Sequence, residues 1–272
     1  MVKYPIVSLS LLFIVALSAC SGMESKKEEV AEIRPGILQG YLPMDEPINS
    51  KAFVPPAPVK NSARQALDNA LSAKTLALRG SPRWTLAQHD AHLGFPAAAD
   101  TYSCTLGIPV SEQETPALYM LLRRTLADVG LATYSAKNAY QRERPFMVNG
   151  DPICTPDEAE ELRHDGSYPS GHTSIGWGWA LILAQLAPER ADALLVRGRA
   201  FGESRMVCNV HWYSDVVAGR IVAAAAVARL HTNEDFLAAM TAASEEIDRV
   251  RAKGLPLNGD CAVEAGALST RL

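Results

Sequence analysis

The stretch GSYPSGHT at residues 166–173 leads directly into an apolar segment that ends at Leu186. Apolar residues occupy most sides of this segment, a pattern typical of a buried helix. A loop rich in Gly, Ser and Pro that precedes a helix can bind an anion through backbone N–H groups and the Ser170 hydroxyl. His172 at the helix start can give or take a proton beside that anion. The alternative is that this loop only caps the helix, through Ser170 and His172, and takes no part in a reaction.

Helical periodicity continues on both sides of this segment, and no convincing alternating strand pattern is present. Where Gly and Pro gather, the sequence predicts a loop with a short helix at 80–111 and a loop at 146–171. The sequence therefore predicts an all-α fold, a compact helical bundle. The predicted helices cover residues 61–78, 117–129, 131–143, 173–186, 189–208, 214–231 and 233–251.

The N-terminus indicates export rather than a part of the fold. Lys3 precedes an apolar run from Ile6 to Leu17, followed by Leu-Ser-Ala-Cys at 17–20. Small residues before a cleavage point are typical of a secretory signal. The following Cys20 resembles the lipidated first residue of a bacterial lipoprotein, with a plain signal peptide as the alternative. The predicted organisation is a signal peptide at 1–19, a polar tether at 20–35 and one all-α domain at 36–272.

Composition excludes several classes. The chain has 272 residues and a formal net charge of −4, whereas nucleic-acid binding needs a basic surface. Outside the signal, the apolar runs are too short to span a bilayer. We therefore expect contact with a membrane only through a lipid on Cys20, on the periplasmic side of the cell envelope. The oligomeric state is left open.

Four further cysteines form an even set, which in an oxidising compartment predicts two disulfides. Three connectivities are possible, and the absence of Cys-x-x-Cys spacing argues against a zinc site. His89-Asp90-x-His92 has no further ligands nearby in the sequence, so no metal is predicted there either. The four cysteines are Cys104, Cys154, Cys208 and Cys261.

Two more clusters carry chemistry. Lys137 and Arg144 lie seven residues apart, which would place both cations on one face of a helix, although nearby Arg142 favours an ordinary solvated basic face. In the other cluster, Asp215 follows His211 at helical spacing and can fix its tautomer, which leaves the second ring nitrogen available for attack. Arg205 offers a forked donor for phosphate oxygens. An ordinary His–Asp helix pair is the alternative.

In order, the motifs are Lys-x6-Arg-Pro, Pro-Ser-Gly-His and Ser-Arg-x5-His-x3-Asp. This set resembles the type 2 phosphatidic acid phosphatase superfamily, which also holds vanadium haloperoxidases. Residues 166–173 match the signature of its class A bacterial non-specific acid phosphatases, and residues 202–220 are also similar to that class. The resemblance covers residues 40–250. It implies a helical fold and hydrolysis of small phosphate monoesters without a metal or other cofactor.

The resemblance also implies a role for each matching residue. His211 would attack phosphorus and become phosphorylated, Asp215 would orient it, and His172 would protonate the leaving group and later activate water. The phosphoryl oxygens would be held by Lys137, Arg144, Ser170, Gly171 and Arg205.

Relatives also carry cysteines at the positions of Cys154 and Cys208, so the resemblance implies the pair Cys154–Cys208 and leaves Cys104–Cys261 as the second pair. Asn209 and Tyr213 depart from the Gly and the polar residue that the class leads us to expect beside His211. A vanadium haloperoxidase and a nucleotide diphosphohydrolase remain alternative uses of the same residues. A membrane lipid phosphatase would need spanning helices, and a silent phosphate-binding lipoprotein would not need both histidines and Asp215.

Overall fold

The computed structural model describes residues 1–2, 30–257, 259–270 and 272. The predicted signal peptide from residue 3 onward, Cys20 and the tether up to residue 29 therefore lie outside the described residues. Apart from one short hairpin, the regular secondary structure of the described residues is all helical, which confirms the all-α prediction. The helices are α1 (Ala63–Leu76), α2 (Pro82–His89), α3 (Ser103–Leu106), α4 (Pro116–Leu131), α5 (Tyr134–Tyr140), α6 (Pro145–Asn149), α7 (Ala159–Arg163), α8 (Gly171–Leu186), α9 (Ala191–Val207), α10 (Tyr213–Leu230), α11 (Glu234–Lys253) and α12 (Cys261–Leu268).

Helix α8 forms the centre of the bundle and packs against α4, α9 and α10. Its apolar residues on most sides have the buried surroundings that the sequence predicts. Small residues allow the close approach: a Cβ at Gly198 of α9 would overlap the side chain of Ala180 on α8. A separate hydrogen bond joins the start of α8 to the start of α10, because the Ser170 N–H donates to the Asp215 carbonyl at 3.1 Å.

The structure differs from the sequence-based prediction in several segments: α6 and α7 lie largely in the loop predicted at 146–171, and two further differences lie near the start of the domain and at α5. The helix expected at 131–143 is α5 alone, because Gln141 adopts a left-handed conformation with φ 42° and ends the helix. Residues Glu32–Arg34 (β1) and Ile37–Leu38 (β2) form an antiparallel hairpin, the only strands in the described part of the chain. The tether predicted to reach residue 35 thus overlaps the compact unit that begins at Ala31.

Cys104 is bonded to Cys261, and Cys154 to Cys208. These are the pairs that the resemblance implies. The first ties α3 to α12, a helix that the sequence did not predict. Among the described residues, no helix combines the length and the apolar character that crossing a membrane requires.

The backbone after the hairpin is held by two side chains of α4. Asp128 accepts the N–H groups of Tyr41 and Leu42, both at 2.9 Å. Arg124 donates to the carbonyl of Gly40 at 2.8 Å and lies over the Tyr41 ring, 3.8 Å from its centroid. Burial raises the pKa of Asp128 to about 6. We call Arg124 and Asp128 the clamp.

We expect Gly40→Ala to weaken the clamp, because the added Cβ would overlap the Asp128 carboxylate. The free energy of unfolding should fall by about 1–3 kcal/mol, a typical cost of overpacking. Urea unfolding measures this change. The control is Gly266→Ala on α12, where a Cβ meets nothing within 4 Å. Equal stability of the two variants would contradict the close packing of Gly40 on α4.

Candidate active site

His211 and Asp215 meet where α9 ends and α10 begins. The His211 ring nitrogen Nδ1 lies 3.4 Å from the Asp215 carboxylate, which also accepts the Trp212 N–H at 2.8 Å. His211 precedes α10, so the pair is not the helical i,i+4 pair that the spacing suggested. The helix-start hydrogen bond to Trp212 brings the carboxylate to the ring instead. Donation from Nδ1 to Asp215 leaves Nε2 unprotonated on the opposite side.

Arg142 holds the second oxygen of Asp215. Its guanidinium donates to Asp215 at 2.6 Å and to Asp68 of α1 at 2.7 Å. Burial raises the pKa of Asp215 to about 6, while the positive charge of Arg142 acts in the opposite direction. The interpretation of Arg142 as a solvated surface charge is therefore wrong, because its side chain is only 8% exposed.

Lys137 and Arg144 converge on Asp165 from different elements. Lys137 Nζ lies 2.8 Å and Arg144 Nη2 3.0 Å from the same carboxylate oxygen of Asp165. The prediction that both cations share one helix face is wrong, since Gln141 ends α5 and Arg144 immediately precedes α6. Arg144 also donates to His211 Nε2 at 3.0 Å, so this cation touches the unprotonated nitrogen directly.

Arg205 is completely buried, and none of its three guanidinium nitrogens has a hydrogen-bond partner in the described structure. Its ion-pair contact with Glu158 is long, since the Glu158 carboxylate oxygen lies 4.0 Å from Arg205 Nη2. A buried charged donor without an acceptor is costly, so such a group indicates a place for an anionic ligand. The positive charge of Arg205 lowers the pKa values of both His172 and His211.

His172 stands in the first turn of α8, as predicted. Its Nε2 lies 2.9 Å from the Ala91 carbonyl, so the Nε2–H donates there and Nδ1 remains for other chemistry. Ser170 caps α8: its hydroxyl accepts the Thr173 N–H at 3.2 Å and is 2.9 Å from the Thr173 hydroxyl. A Cβ on Gly171 would lie 3.9 Å from Lys137 Cε, which places this part of the loop beside a cation.

Burial and crowded positive charge set the protonation states of the site. Burial, followed by the charge of Arg144, lowers the pKa of Lys137 to about 8. Burial and the neighbouring cations hold the pKa values of His172 and His211 well below their usual range. Both imidazoles are therefore neutral at neutral pH.

A cavity of about 480 Å³ opens onto this group. Lys137, Arg144, Gly171, His172 and His211 line its inner end. The hairpin also lines it, through residues 33–37, so the N-terminal part of the described chain forms a wall of the cavity. Asp215, Ser170 and Arg205 lie behind the lining.

Sequence reasoning missed Arg142, Asp165 and the Ala91 carbonyl. Asp165 directly precedes the GSYPSGHT stretch, but a single acid in a loop carries no signal by itself. A backbone carbonyl is invisible to residue patterns. In the described residues, no group of three or more His, Cys, Asp or Glu side chains is arranged to hold a metal ion.

Known proteins resemble the chain over most of its length. It is 41% identical to the non-specific acid phosphatase of Providencia stuartii over 212 residues, 78% of this chain and 86% of that protein. It is 42% identical to the acid phosphatase of Zymomonas mobilis over 203 residues, 73% of this chain and 75% of that protein. The non-specific acid phosphatase of Salmonella typhimurium is 38% identical over 212 residues, 78% of this chain and 85% of that protein.

Two further matches concern the superfamily. A crystal structure of a transmembrane PAP2 type phosphatidylglycerolphosphate phosphatase from Bacillus subtilis covers 64% of this chain and 89% of its own, with 18% identity and a TM-score of 0.42, too weak a likeness for any conclusion. The family model of the PAP2 superfamily matches residues 116–236, which include all three motifs. With the identities to the acid phosphatases, this match shows that the chain belongs to the PAP2 superfamily and, within it, to the class A bacterial non-specific acid phosphatases.

Proposed function

We propose that the chain is an acid phosphatase that hydrolyses phosphate monoesters through a phosphohistidine on His211. The observation that carries the proposal is Arg205, a buried guanidinium without an acceptor beside two further cations and an unprotonated imidazole nitrogen. Three cations around one anion suit the charge of a transferring phosphoryl group. The acid phosphatase names of the relatives support the same reaction.

In the proposed first step, His211 Nε2 attacks phosphorus and a nitrogen–phosphorus bond forms. The bond from phosphorus to the ester oxygen breaks, and its electron pair stays on that oxygen. His172 gives this oxygen a proton from Nδ1. Asp215 stabilises the positive charge on the His211 ring, while Lys137, Arg144, Arg205 and the Gly171 N–H hold the phosphoryl oxygens. We assign Ser170 the capping of α8 beside this anion, in keeping with its hydrogen bonds to Thr173.

In the second step, neutral His172 takes a proton from water, and the resulting hydroxide oxygen attacks the phosphohistidine. The nitrogen–phosphorus bond breaks and phosphate leaves. The first step needs His172 protonated, although burial and the charge of Arg205 lower its pKa. A bound phosphate dianion offsets the charges of Arg205, Arg144 and Lys137, so substrate itself raises the pKa of His172. Because the first step still needs a proton on His172, acidic pH favours the reaction.

The proposal includes no metal or other cofactor, because protein cations supply the charge stabilisation. We expect wild type to form a phosphoenzyme in excess EDTA and His211→Ala to form none, with kcat lowered by about 10³-fold or more. The phosphoenzyme is detected with an ester that carries radioactive phosphate, followed by an alkaline quench, because phosphohistidine is stable in base.

The control for this experiment is His164→Ala, which changes an imidazole that is 77% exposed. It should retain wild-type turnover and labelling. Label on a residue other than His211 would refute the mechanism, and an absence of hydrolysis of any monoester by wild type would refute the function.

Anion affinity should depend on pH through Lys137. Its pKa of about 8 means that it is charged below and neutral above that pH. Sulfate keeps its dianionic charge over this range, so its dissociation constant should rise as pH increases from 7 to 9, by up to about tenfold per pH unit above the pKa. Calorimetry measures this constant.

Lys137→Arg should remove most of the increase in the sulfate dissociation constant with pH, because a guanidinium stays charged. The matched change Lys74→Arg, at an exposed position on α1, should keep it. Identical pH profiles for all three proteins would show that Lys137 does not bind the anion.

We also propose export and lipid attachment at Cys20, on the strength of the Leu-Ser-Ala-Cys sequence after an apolar run. Lipidation of this residue would place the enzyme on the periplasmic face of a membrane. We expect phosphatase activity to sediment with membranes and Cys20→Ala to release it into the soluble periplasmic fraction. Soluble wild-type protein would contradict the anchor without affecting the proposed catalysis.

A further inference from the structure

The cavity extends well beyond the phosphate end. One face of α4 lines it through residues spaced at three and four positions, a spacing that follows a single helix face. These residues are Arg123, Leu126, Ala127, Gly130 and Leu131. Arg123 precedes Thr133 by ten residues, about 15 Å of helical rise. Thr133 lies beside Gly171, since a Cβ on Gly171 would be 3.7 Å from the Thr133 hydroxyl.

Apolar side chains form much of the wall between these two ends, beside a few polar ones such as Tyr134 and Glu161. Ile33 and Ile37 of the hairpin, with Ile175 of α8, line the same cavity as the α4 face. The clamp holds the chain directly after the hairpin, which fixes this wall. A slot with apolar walls favours an elongated apolar group over a small polar alcohol.

Arg123 at the far end has a buried donor without an acceptor. Its Nε is buried and has no hydrogen-bond partner, and it forms no ion pair with any described residue. The guanidinium lies 5.8 Å from the centroid of the Phe95 ring and 5.9 Å from that of Tyr119, so aromatic packing fixes its place. Arg34 on the hairpin adds a second positive charge to the same cavity.

We propose that Arg123 is a specificity-determining residue that binds an anionic acceptor at the far end of an elongated apolar leaving group. The proposal rests on the proposed phosphatase function, with phosphate seated at His211. A carboxylate or a second phosphate would supply the acceptor equally well, since a guanidinium binds both in a forked geometry.

Three synthetic esters separate these features. Phenyl phosphate fills only the inner end, 4-biphenylyl phosphate reaches along the slot, and its 4′-carboxylate adds the terminal anion. Wild type should prefer the carboxylate to plain biphenylyl phosphate by about tenfold in kcat/KM, as for a partly exposed charged hydrogen bond. A fourth ester, 4-biphenylyl phosphate with a 4′-phosphonate, tests whether a phosphate-like anion serves as well as the carboxylate.

Arg123→Met keeps the length of the side chain and removes its donors. We expect it to abolish the preference for the anionic esters through KM, with kcat unchanged and phenyl phosphate unaffected. Arg249→Met, whose original side chain is 63% exposed and lies outside the cavity lining, should keep the preference. Arg123→Lys should keep part of the preference for the anionic esters. It replaces Arg123→Met as the test if the Met variant is unstable.

The outcomes are distinct. If Arg123→Met lowers turnover of all esters equally, the residue is merely structural and the inference is wrong. If wild type hydrolyses phenyl phosphate but shows no preference between the two biphenylyl esters, the inference is wrong and the proposed function stands. If wild type hydrolyses none of the esters, the proposed function fails.

Discussion

The site depends on the carboxylate of Asp215 more than on any other group. It accepts the Trp212 N–H that begins α10, faces His211 Nδ1 and receives Arg142, while its backbone carbonyl accepts the Ser170 N–H. One residue thus joins the start of α10, the proposed nucleophile and the loop before α8. Leaving such a buried carboxylate unpaired typically costs about 3–5 kcal/mol. The same contacts therefore stabilise the fold and fix the imidazole.

Much of this arrangement could be predicted from the sequence because the motifs lie next to helix boundaries. A Gly- and Pro-rich loop before an apolar run predicts α8, and the structure places His172 in its first turn. The interval between His211 and Asp215 predicts their contact correctly but for a different reason. The left-handed conformation of Asn209, with φ 60°, turns the chain after α9 and places His211 outside a helix. Asn tolerates this conformation better than most residues, in keeping with the Gly expected there.

What the sequence could not predict depends on tertiary contacts. Nothing local separates Arg142 from an ordinary surface arginine, because its partners Asp68 and Asp215 are 74 and 73 residues away. Gln141 has no strong preference for the conformation that ends α5. The hairpin is a comparable case: its two short strands are placed by tertiary contacts, among them the burial of Leu38 and the clamp on α4 directly after it. Local propensity is a weak guide wherever such distant contacts decide.

The cluster of cations has two opposing effects on the chemistry. In the proposed mechanism it attracts a phosphate dianion, yet burial and these cations lower the pKa of His172, the imidazole that must be protonated. Asp165 moderates this conflict, because its carboxylate lies against both Lys137 and Arg144. In the proposed mechanism, a substrate phosphate brings more negative charge than this single carboxylate and would also be held by Arg205. Binding of this anion would then restore the proton affinity of His172, so that the proposed acid becomes competent only when there is a leaving group to protonate.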